Sequence, residues 1–348
     1  MALPTSYTAF RRTTGNLPRT IEPSTEALPQ NLGPKDVLIK IHAVSLNYRD
    51  VGMLVGNYPV EVEEHGIPCS DCAAEVVAIG SAVEDFQIGD RVSPIFNLSN
   101  VTGAENDPFQ ALGGDVPGVL REYAVFEDRV LVHLPKHLAW EDAATLTCAG
   151  VTAWVALNSP SAVATPSSAI LQGTGGVSMF ALLICLAAGI KPIITSSSDA
   201  KLEQIKKLSP EVYGINYKTC QDQAAEVLRA TDGRGVDVVV NNTGVASIPD
   251  DISFLRTRGG TVSLVGFLDG AKANWHPNAM MALMGKAAKV QGIAVGSKVD
   301  YQNLNKFLEE KNVSLAPVID RVFPFQESKA AFDHLLSGKH VGKVIIKM

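Results

Sequence analysis

Residues 169–198, AILQGTGGVSMFALLICLAAGIKPIITSSS, constrain the fold of this chain more than any other stretch. An apolar run meets a glycine-rich turn, an apolar helix follows, and a second apolar run ends in serines. Ala169 to Gln172 reads as a buried parallel strand, with Gly173, Gly175 and Gly176 forming the turn after it. Glycine accepts positive φ and lets a backbone approach a pyrophosphate, whose charge the N-terminus of the next helix stabilises. Strand, turn, helix and second strand stand in the order of a dinucleotide-binding βαβ unit. A tight strand-to-helix turn can also use glycine for purely structural reasons, so the order of the elements carries this reading more than the glycines do.

The end of the second strand points to one cofactor. About 20 residues after such glycines, an NAD-binding unit places an Asp or Glu on the ribose 2′-hydroxyl. Here that place reads Thr195, Ser196, Ser197, Ser198, with Lys201 in the next turn of chain. Hydroxyls and an ammonium accept a 2′-phosphate, which favours NADPH over NADH. A competing reading gives one serine to capping a helix that starts near Asp199, and lets Asp199 itself reach the ribose.

At 348 residues the chain exceeds what one core organises, and two domains are expected. With 46% hydrophobic and 19% charged residues it can bury substantial cores and does not resemble a disordered chain. The net charge of −6, without a basic stripe interleaved with aromatics, argues against nucleic acid as the main partner. The N-terminal MALPTSYTAFRRTT lacks a signal-peptide apolar core, and apolar stretches such as 179–190 are interrupted before a membrane span is reached. Five cysteines without regular spacing suit a reducing compartment. A cytoplasmic protein without membrane contact is expected.

Residues 1–150 show short alternating strands and turns rich in Gly, Pro and Asp, the pattern of a mainly β domain. Residues 151–296 alternate strands (169–172, 192–195, 236–241, 261–265, 290–296) with helices, the rhythm of a doubly wound parallel sheet. Residues 297–348 return to mixed structure and are expected to complete the first domain. The helix around 179–186 is read as core packing.

Several spaced motifs then occur in order: SLNYRD (45–50), GDRV (89–92), CAGVTAW (148–154), LQGTGGVS (171–178), NTG (242–244), SLVGF (263–267), FPFQESKAAF (323–332) and GKHVGKVII (338–346). Over essentially its whole length the chain resembles the medium-chain dehydrogenase/reductase superfamily, and within it the quinone oxidoreductase and zinc-independent alcohol-dehydrogenase-like branch. The resemblance implies a GroES-like, mainly β substrate domain, a Rossmann domain and a cleft between them. It also places Lys201 and Tyr217 with Ser196 and Ser197 at the 2′-phosphate, Thr152 at the nicotinamide ribose or phosphates, and Gly175, Gly176 and Val177 at the pyrophosphate. Asn242 and Thr243 fall beside the riboses, and Val265, Gly266 and Phe267 at the nicotinamide amide. Lys343 reads either as a cofactor contact or as a solvated lysine on the final strand.

Zinc-dependent relatives use a Cys in the segment matching SLNYRD, a His-Glu pair in the segment matching IPCSD, and a Cys matching Cys148. Here the first is Asn47 and the pair is Ser70-Asp71, so only the thiol of Cys148 is kept. Catalytic zinc needs three protein ligands and an open position, and no metal site is expected. Residues 95–118 also lack the four cysteines of the structural zinc lobe. A rival reading joins Cys69 and Cys72, a C-x-x-C, with His65 and Cys148 into a metal or redox site. Against it, free cysteine often serves as a small apolar residue.

Without zinc, alcohol oxidation loses the Lewis acid that stabilises an alkoxide. NADPH reduction of a quinone, or of the C=C of an α,β-unsaturated carbonyl, is the favoured reading, with hydrogen-bond donors meeting the oxyanion. Asn47, Tyr48 and Tyr58 are the candidate groups. Tyr58, in GNYP, resembles the proton-donating tyrosine of enoyl-thioester reductases, and reads equally as a turn tyrosine. Arg49 and Asp50 read as a local pair or cap. A zinc-free alcohol or aldehyde dehydrogenase and a catalytically idle NADPH-binding sensor remain as alternatives. Substrate choice is expected to lie in loops 53–66 and 97–118 and in residues 267–286. The apolar strand at 289–296 is expected to join two subunits of a homodimer.

Overall fold

The computed structural model describes residues 3–59, 62–158, 167–268, 270 and 272–348. Val60 and Glu61 of the loop 53–66, and Asp269 and Ala271 of the segment 267–286, lie outside the described residues. The chain divides into two compact units, Met1–Val151 with Gly296–Met348, and Thr152–Val295.

The first unit is built on antiparallel strands. β1 (Ser6–Arg12) and β2 (Ile21–Ala27) form a hairpin. β3 (Asp36–Ser45) is followed by helix α1 (Tyr48–Val55), β4 (Asp71–Ile79), β5 (Arg91–Pro94), β6 (Tyr123–Glu127) and β7 (Leu131–His133). In β3, Val37, Ile39, Ile41 and Ala43 are buried on one face, and on the other Leu38 and Val44 are buried too while Lys40 is exposed, so the strand is covered on both faces except around Lys40. The short helix α2 (Trp140–Ala143) leads into a π-helical turn, Leu146–Gly150, which carries Cys148 and runs into α3 (Val151–Ala156).

The second unit is a six-stranded parallel sheet. In chain order it comprises β8 (Ser168–Leu171), α4 (Gly176–Ala188), β9 (Lys191–Ser196), α5 (Asp199–Lys206), β10 (Tyr213–Asn216), α6 (Gln223–Ala230), β11 (Val238–Asn241), α7 (Ile248–Phe254), β12 (Thr261–Leu264), α8 (Met281–Lys286) and β13 (Lys289–Gly292). The spatial order is β10-β9-β8-β11-β12-β13. Chain direction across the sheet therefore reverses at β8, which has β9 on one side and β11 on the other, and ligands of such sheets bind at the carboxyl ends beside that reversal. All four residues of β8 are buried, and eight consecutive residues of α4, Ser178 to Cys185, are buried as well. A helix apolar on every side is a core helix, in agreement with the sequence reading. Ile170, Ile193, Ile215, Val239 and Val262 from five strands pack into one cluster with Ile252 and Phe254 of α7.

β10 is absent from the sequence reading, because Tyr213, Gly214 and Asn216 leave only Ile215 as a fully buried apolar signal. β13 is shorter than the predicted 290–296, its pairing with β12 ending at Gly292. After it, α9 (Lys298–Glu310), β14 (Ile319–Pro324), α10 (Ser328–Leu336) and β15 (Lys343–Lys347) belong to the first unit. β15 lies antiparallel to β3, and β14 parallel to β15, giving the sheet order β14-β15-β3-β4-β5-β7, with β6 also on β3.

Ile193 is fully buried in the centre of the second sheet. Ile193→Ala is expected to destabilise that unit by about 2–5 kcal/mol, read as a lowered urea midpoint; an unchanged midpoint would place the core elsewhere.

Candidate active site

At the carboxyl end of β8, the turn that precedes α4 is shaped for close approach. Gly173 sits at φ +78°, where a side chain is strained. A Cβ added at Gly173 or Gly175 would meet nothing within 4 Å, so the turn borders open space. Gly175 caps α4, no side chain bonds the exposed N–H groups there, and the first turn holds no acidic residue. These donors are directed at an anion, and Gly176 and Val177 begin the same turn of helix. The residues present fit a bound dinucleotide.

A polar network fixes that edge of the sheet. The Gln172 carbonyl accepts from Ser178 Oγ at 2.7 Å and from Asn242 Nδ2 at 3.1 Å. Gln172 Oε1 accepts the Thr243 N–H at 3.2 Å, while its Nε2 donates to Asp251 Oδ1 at 2.6 Å. The other oxygen of Asp251 accepts from Asn241 Nδ2 and from Ser247 Oγ, and Asn241 Oδ1 accepts the Gly244 N–H at 2.7 Å. The fully buried Asp251 thus ties the end of β8 to the loop after β11, the two segments to which the sequence assigns cofactor contacts. Its burial outweighs these donors and pushes its carboxyl up to about 7. Sequence reasoning missed Asp251, because an aspartate in the first turn of a helix reads as a dipole partner. At the end of β12, the N–H groups of Val265 and Gly266 both donate to the Asn241 carbonyl, at 2.8 and 3.1 Å. A Cβ at Gly266 would fall 2.4 Å from the Asn242 carbonyl oxygen, so only glycine fits. Phe267 follows, and Thr152, in α3, is buried.

Ser196 ends β9, buried and with its Oγ accepting the Ser198 N–H at 3.2 Å, and Ser197 follows it; the Tyr217 N–H donates to the Ser196 carbonyl at 3.0 Å, bringing the ends of β9 and β10 together. Ser198 caps α5 by accepting from the Lys201 N–H, and Asp199 Oδ1 accepts from Asn216 Nδ2 at 2.8 Å. The capping role thus falls to Ser198 alone. Asp199 is held on Asn216, and Ser197 and Tyr217 remain exposed.

In the first unit, the segment after β3 carries Asn47, Tyr48, Arg49 and Asp50. Asp50 Oδ2 accepts the Asn47 N–H at 2.8 Å and so caps α1. Arg49 does not pair with it in a surface cap: its buried guanidinium donates to the Leu112 carbonyl at 2.7 Å and to the Tyr58 hydroxyl at 3.3 Å. That guanidinium lies 5.3 Å from the Tyr58 ring centre and 4.9 Å from that of Phe96, within cation–π range. Tyr58 is half-buried, and Tyr48 is 44% exposed.

Lys343 is a correction to the sequence reading. It is 2% exposed, not solvated. Its Nζ donates to the Leu46 carbonyl and to Asn47 Oδ1, both at 2.6 Å, and stands 3.7 Å from Asp71 Oδ2. Two of the three donors of the ammonium are thus given to Leu46 and Asn47, and Asp71 faces it at ion-pair distance. Asn47 Nδ2 is enclosed and has no hydrogen-bond partner, an arrangement that costs about 1–3 kcal/mol for a buried donor.

These residues do not fit zinc. Catalytic zinc takes three Cys, His or carboxylate ligands, and here Asn47 and Ser70 stand where two of them would be, leaving Cys148 and Asp71, the latter already facing the Lys343 ammonium. A fixed cation already engages Asn47 and Asp71. Among the described residues no three His, Cys, Asp or Glu side chains converge to hold a metal ion. In the C-x-x-C, Cys69 and Cys72 are fully buried and both thiols are raised by burial. His65 Nδ1 lies 2.8 Å from the Arg12 carbonyl, so the rival metal or redox reading finds no reactive thiolate.

Residues 33–136 match the family model of the alcohol dehydrogenase GroES-like domain, and residues 176–310 that of the zinc-binding dehydrogenase. A zinc-type alcohol dehydrogenase-like protein of Schizosaccharomyces pombe is 38% identical over 335 residues, covering 94% of this chain and 95% of its own. The crystal structure of a putative alcohol dehydrogenase from Sinorhizobium meliloti superposes with a TM-score of 0.91 at 32% identity, covering 100% of both chains. A quinone oxidoreductase of Pseudomonas syringae is similar in fold, with a TM-score of 0.76 at 24% identity over 98% of this chain and 100% of its own.

Asp251 gives a test of the network. An unfolded aspartate ionises near pH 4, so between there and about 7 the native chain holds a proton that the unfolded chain does not. The contribution of this carboxyl to stability is therefore present at low pH and lost as pH rises through that window. Relative to the parent, Asp251→Asn is expected to gain up to about 4 kcal/mol of unfolding free energy between pH 4 and pH 8. Urea unfolding at four pH values measures the difference, and parallel profiles would refute it.

Proposed function

The chain belongs to the medium-chain dehydrogenase/reductase superfamily and is an oxidoreductase of that family, whose dehydrogenases use a nicotinamide cofactor. From that premise we propose that it is a zinc-independent, NADPH-dependent reductase of a quinone or of the C=C of an α,β-unsaturated carbonyl. The observation that carries this reading is the Lys343 ammonium, which engages Asn47 and Asp71 beside Cys148. A metal-free site lacks the Lewis acid that an alkoxide requires. Reduction of an enone or quinone spreads the developing charge over an enolate or phenolate, which hydrogen-bond donors can meet.

Bound NADPH supplies the hydride. The chain's own residues hold the cofactor: the turn of Gly173, Gly175, Gly176 and Val177 takes the pyrophosphate, while Thr152, Asn242, Thr243, Val265, Gly266 and Phe267 orient the nicotinamide half. Ser196, Ser197, Lys201 and Tyr217 receive the 2′-phosphate. Support for the phosphate comes from Asp199, which is bonded to Asn216 and does not replace it at the ribose. Asn47 donates to the substrate oxygen, Tyr48 borders the substrate, and Tyr58, oriented by Arg49, delivers the proton.

Five free cysteines, four of them with thiols raised by burial, support a cytoplasmic setting. Among the described residues no helix is long and apolar enough to cross a membrane. β13 ends its sheet with an unpaired edge, and Met281 and Met284 of the adjoining α8 are 61% and 74% exposed. A second copy covering this edge would form a homodimer.

Metal-free protein, after prolonged chelation, is expected to oxidise NADPH with an ortho-quinone or an enone at the rate of untreated protein. Loss of turnover on chelation would overturn the zinc-free reading, and NADPH binding without turnover of either acceptor would favour the sensor. Lys201→Ala is expected to weaken NADPH about 10–100-fold, as for one charge-assisted contact, while NADH changes little. Equal losses, measured by fluorescence titration, would remove Lys201 from the 2′-phosphate.

A further inference from the structure

We propose that Lys343 is a positioning residue: it holds Asn47 Oδ1 so that the Nδ2–H of the same amide is presented to the substrate oxygen on which charge develops, a role that rests on the reductase reading above. An asparagine amide has two ends of nearly equal shape, one accepting and one donating, and its neighbours decide which way it turns. An ammonium can only donate. The 2.6 Å contact with Lys343 Nζ therefore makes the near end Oδ1 and commits Nδ2 to the far side. That far atom is enclosed and meets no acceptor among the described residues. A donor left over in this way is satisfied only when an oxygen from outside these partners comes within reach of it.

The backbone makes the arrangement rigid. β3 and β15 are paired up to Ser45 and Ile345, and the Leu46 N–H then donates to the Val344 carbonyl at 2.9 Å. Lys343 and Asn47 thus face each other across a ladder, with the Leu46 carbonyl taking a second Nζ proton and Asp71 facing the third. Asp50 fixes the Asn47 backbone from the other side. A cation behind the amide oxygen also polarises the amide, so its N–H donates more strongly as negative charge grows in front of it. Lys343 need not touch the substrate to do this.

Removing Lys343 alone would leave the buried Asp71 uncompensated and unfold the site, so the variant is the charge-balanced Asp71→Asn/Lys343→Met. It is compared with Asn47→Leu and with the triple variant, using NADPH and one ortho-quinone or enone. Expected are a fall in kcat of about 100-fold in both, as for one oxyanion donor, KM and NADPH affinity within about twofold, and no further loss in the triple variant. Parent-like kcat in the charge-balanced variant, or losses that multiply, would overturn the proposal. In parallel, the Asn47 side-chain amide resonances of cofactor-free protein are expected to shift in the charge-balanced variant, and unmoved resonances would likewise overturn it. The resonance comparison needs no turnover, so a parent that reduces neither acceptor brings down the reductase reading while the orienting role of Lys343 is still decided.

Discussion

The pairing of β3 with β15 is the contact on which the Lys343, Asn47 and Asp71 cluster of the first unit depends. It brings Lys343 within 2.6 Å of Asn47, a residue 296 positions earlier. Without that ladder, the segment after β3 would present Asn47 as an ordinary cap, and Asp71 would be a buried carboxylate with no cation beside it. With it, three charged or polar groups and one backbone carbonyl share an enclosed space in which each depends on the others. Burial of an ion pair is weak evidence for stability, since desolvation offsets most of the attraction. The cluster makes better sense as something kept for what it orients.

The second unit solves a parallel problem with a neutralisable group. Reversal of strand order at β8 opens the carboxyl ends of β8 and β11 to a ligand, yet leaves two loops to be held in register. Asp251 does this from beneath, through Gln172 and Asn241, and Thr243 is fixed only because Gln172 is. One unit thus uses a lysine side chain and the other a carboxyl raised by burial to about 7. Both hold other side chains in place, Lys343 the amide of Asn47 and Asp251 the amides of Gln172 and Asn241.

The parts visible in the sequence were those that follow from local rules. A glycine turn between two apolar runs has few physical uses, and the all-round apolar helix 176–188 can lie only in a core. The alternation read along 36–44 found a strand, although Leu38 and Val44 show that its second face is largely covered as well. What the sequence concealed was long-range pairing. Nothing near Lys343 shows that its side chain turns inward to residue 47, and a lysine on a last strand reads as solvated until its partner is known. Asp251 was hidden because two of its hydrogen-bond partners, Gln172 and Asn241, come from the ends of different strands far away in the sequence. Arg49 appeared local because Asp50 is its neighbour, whereas its contacts are Leu112, Tyr58 and Phe96. β10 escaped because one buried isoleucine in four residues is too faint a periodicity.

Division of the chain has a consequence for its birth. The second unit is one continuous segment, 152–295, set inside the first, whose sheet needs residues from both ends. As the chain leaves the ribosome, every strand of the inner sheet is available while the Ala43–Ser45 end of β3 still waits for its neighbour. Only when the last few residues emerge does β15 close that edge and deliver the ammonium to Asn47. A chain cut short by a dozen residues thus keeps every strand of the second unit's sheet and loses both β15 and the Lys343 contact with Asn47.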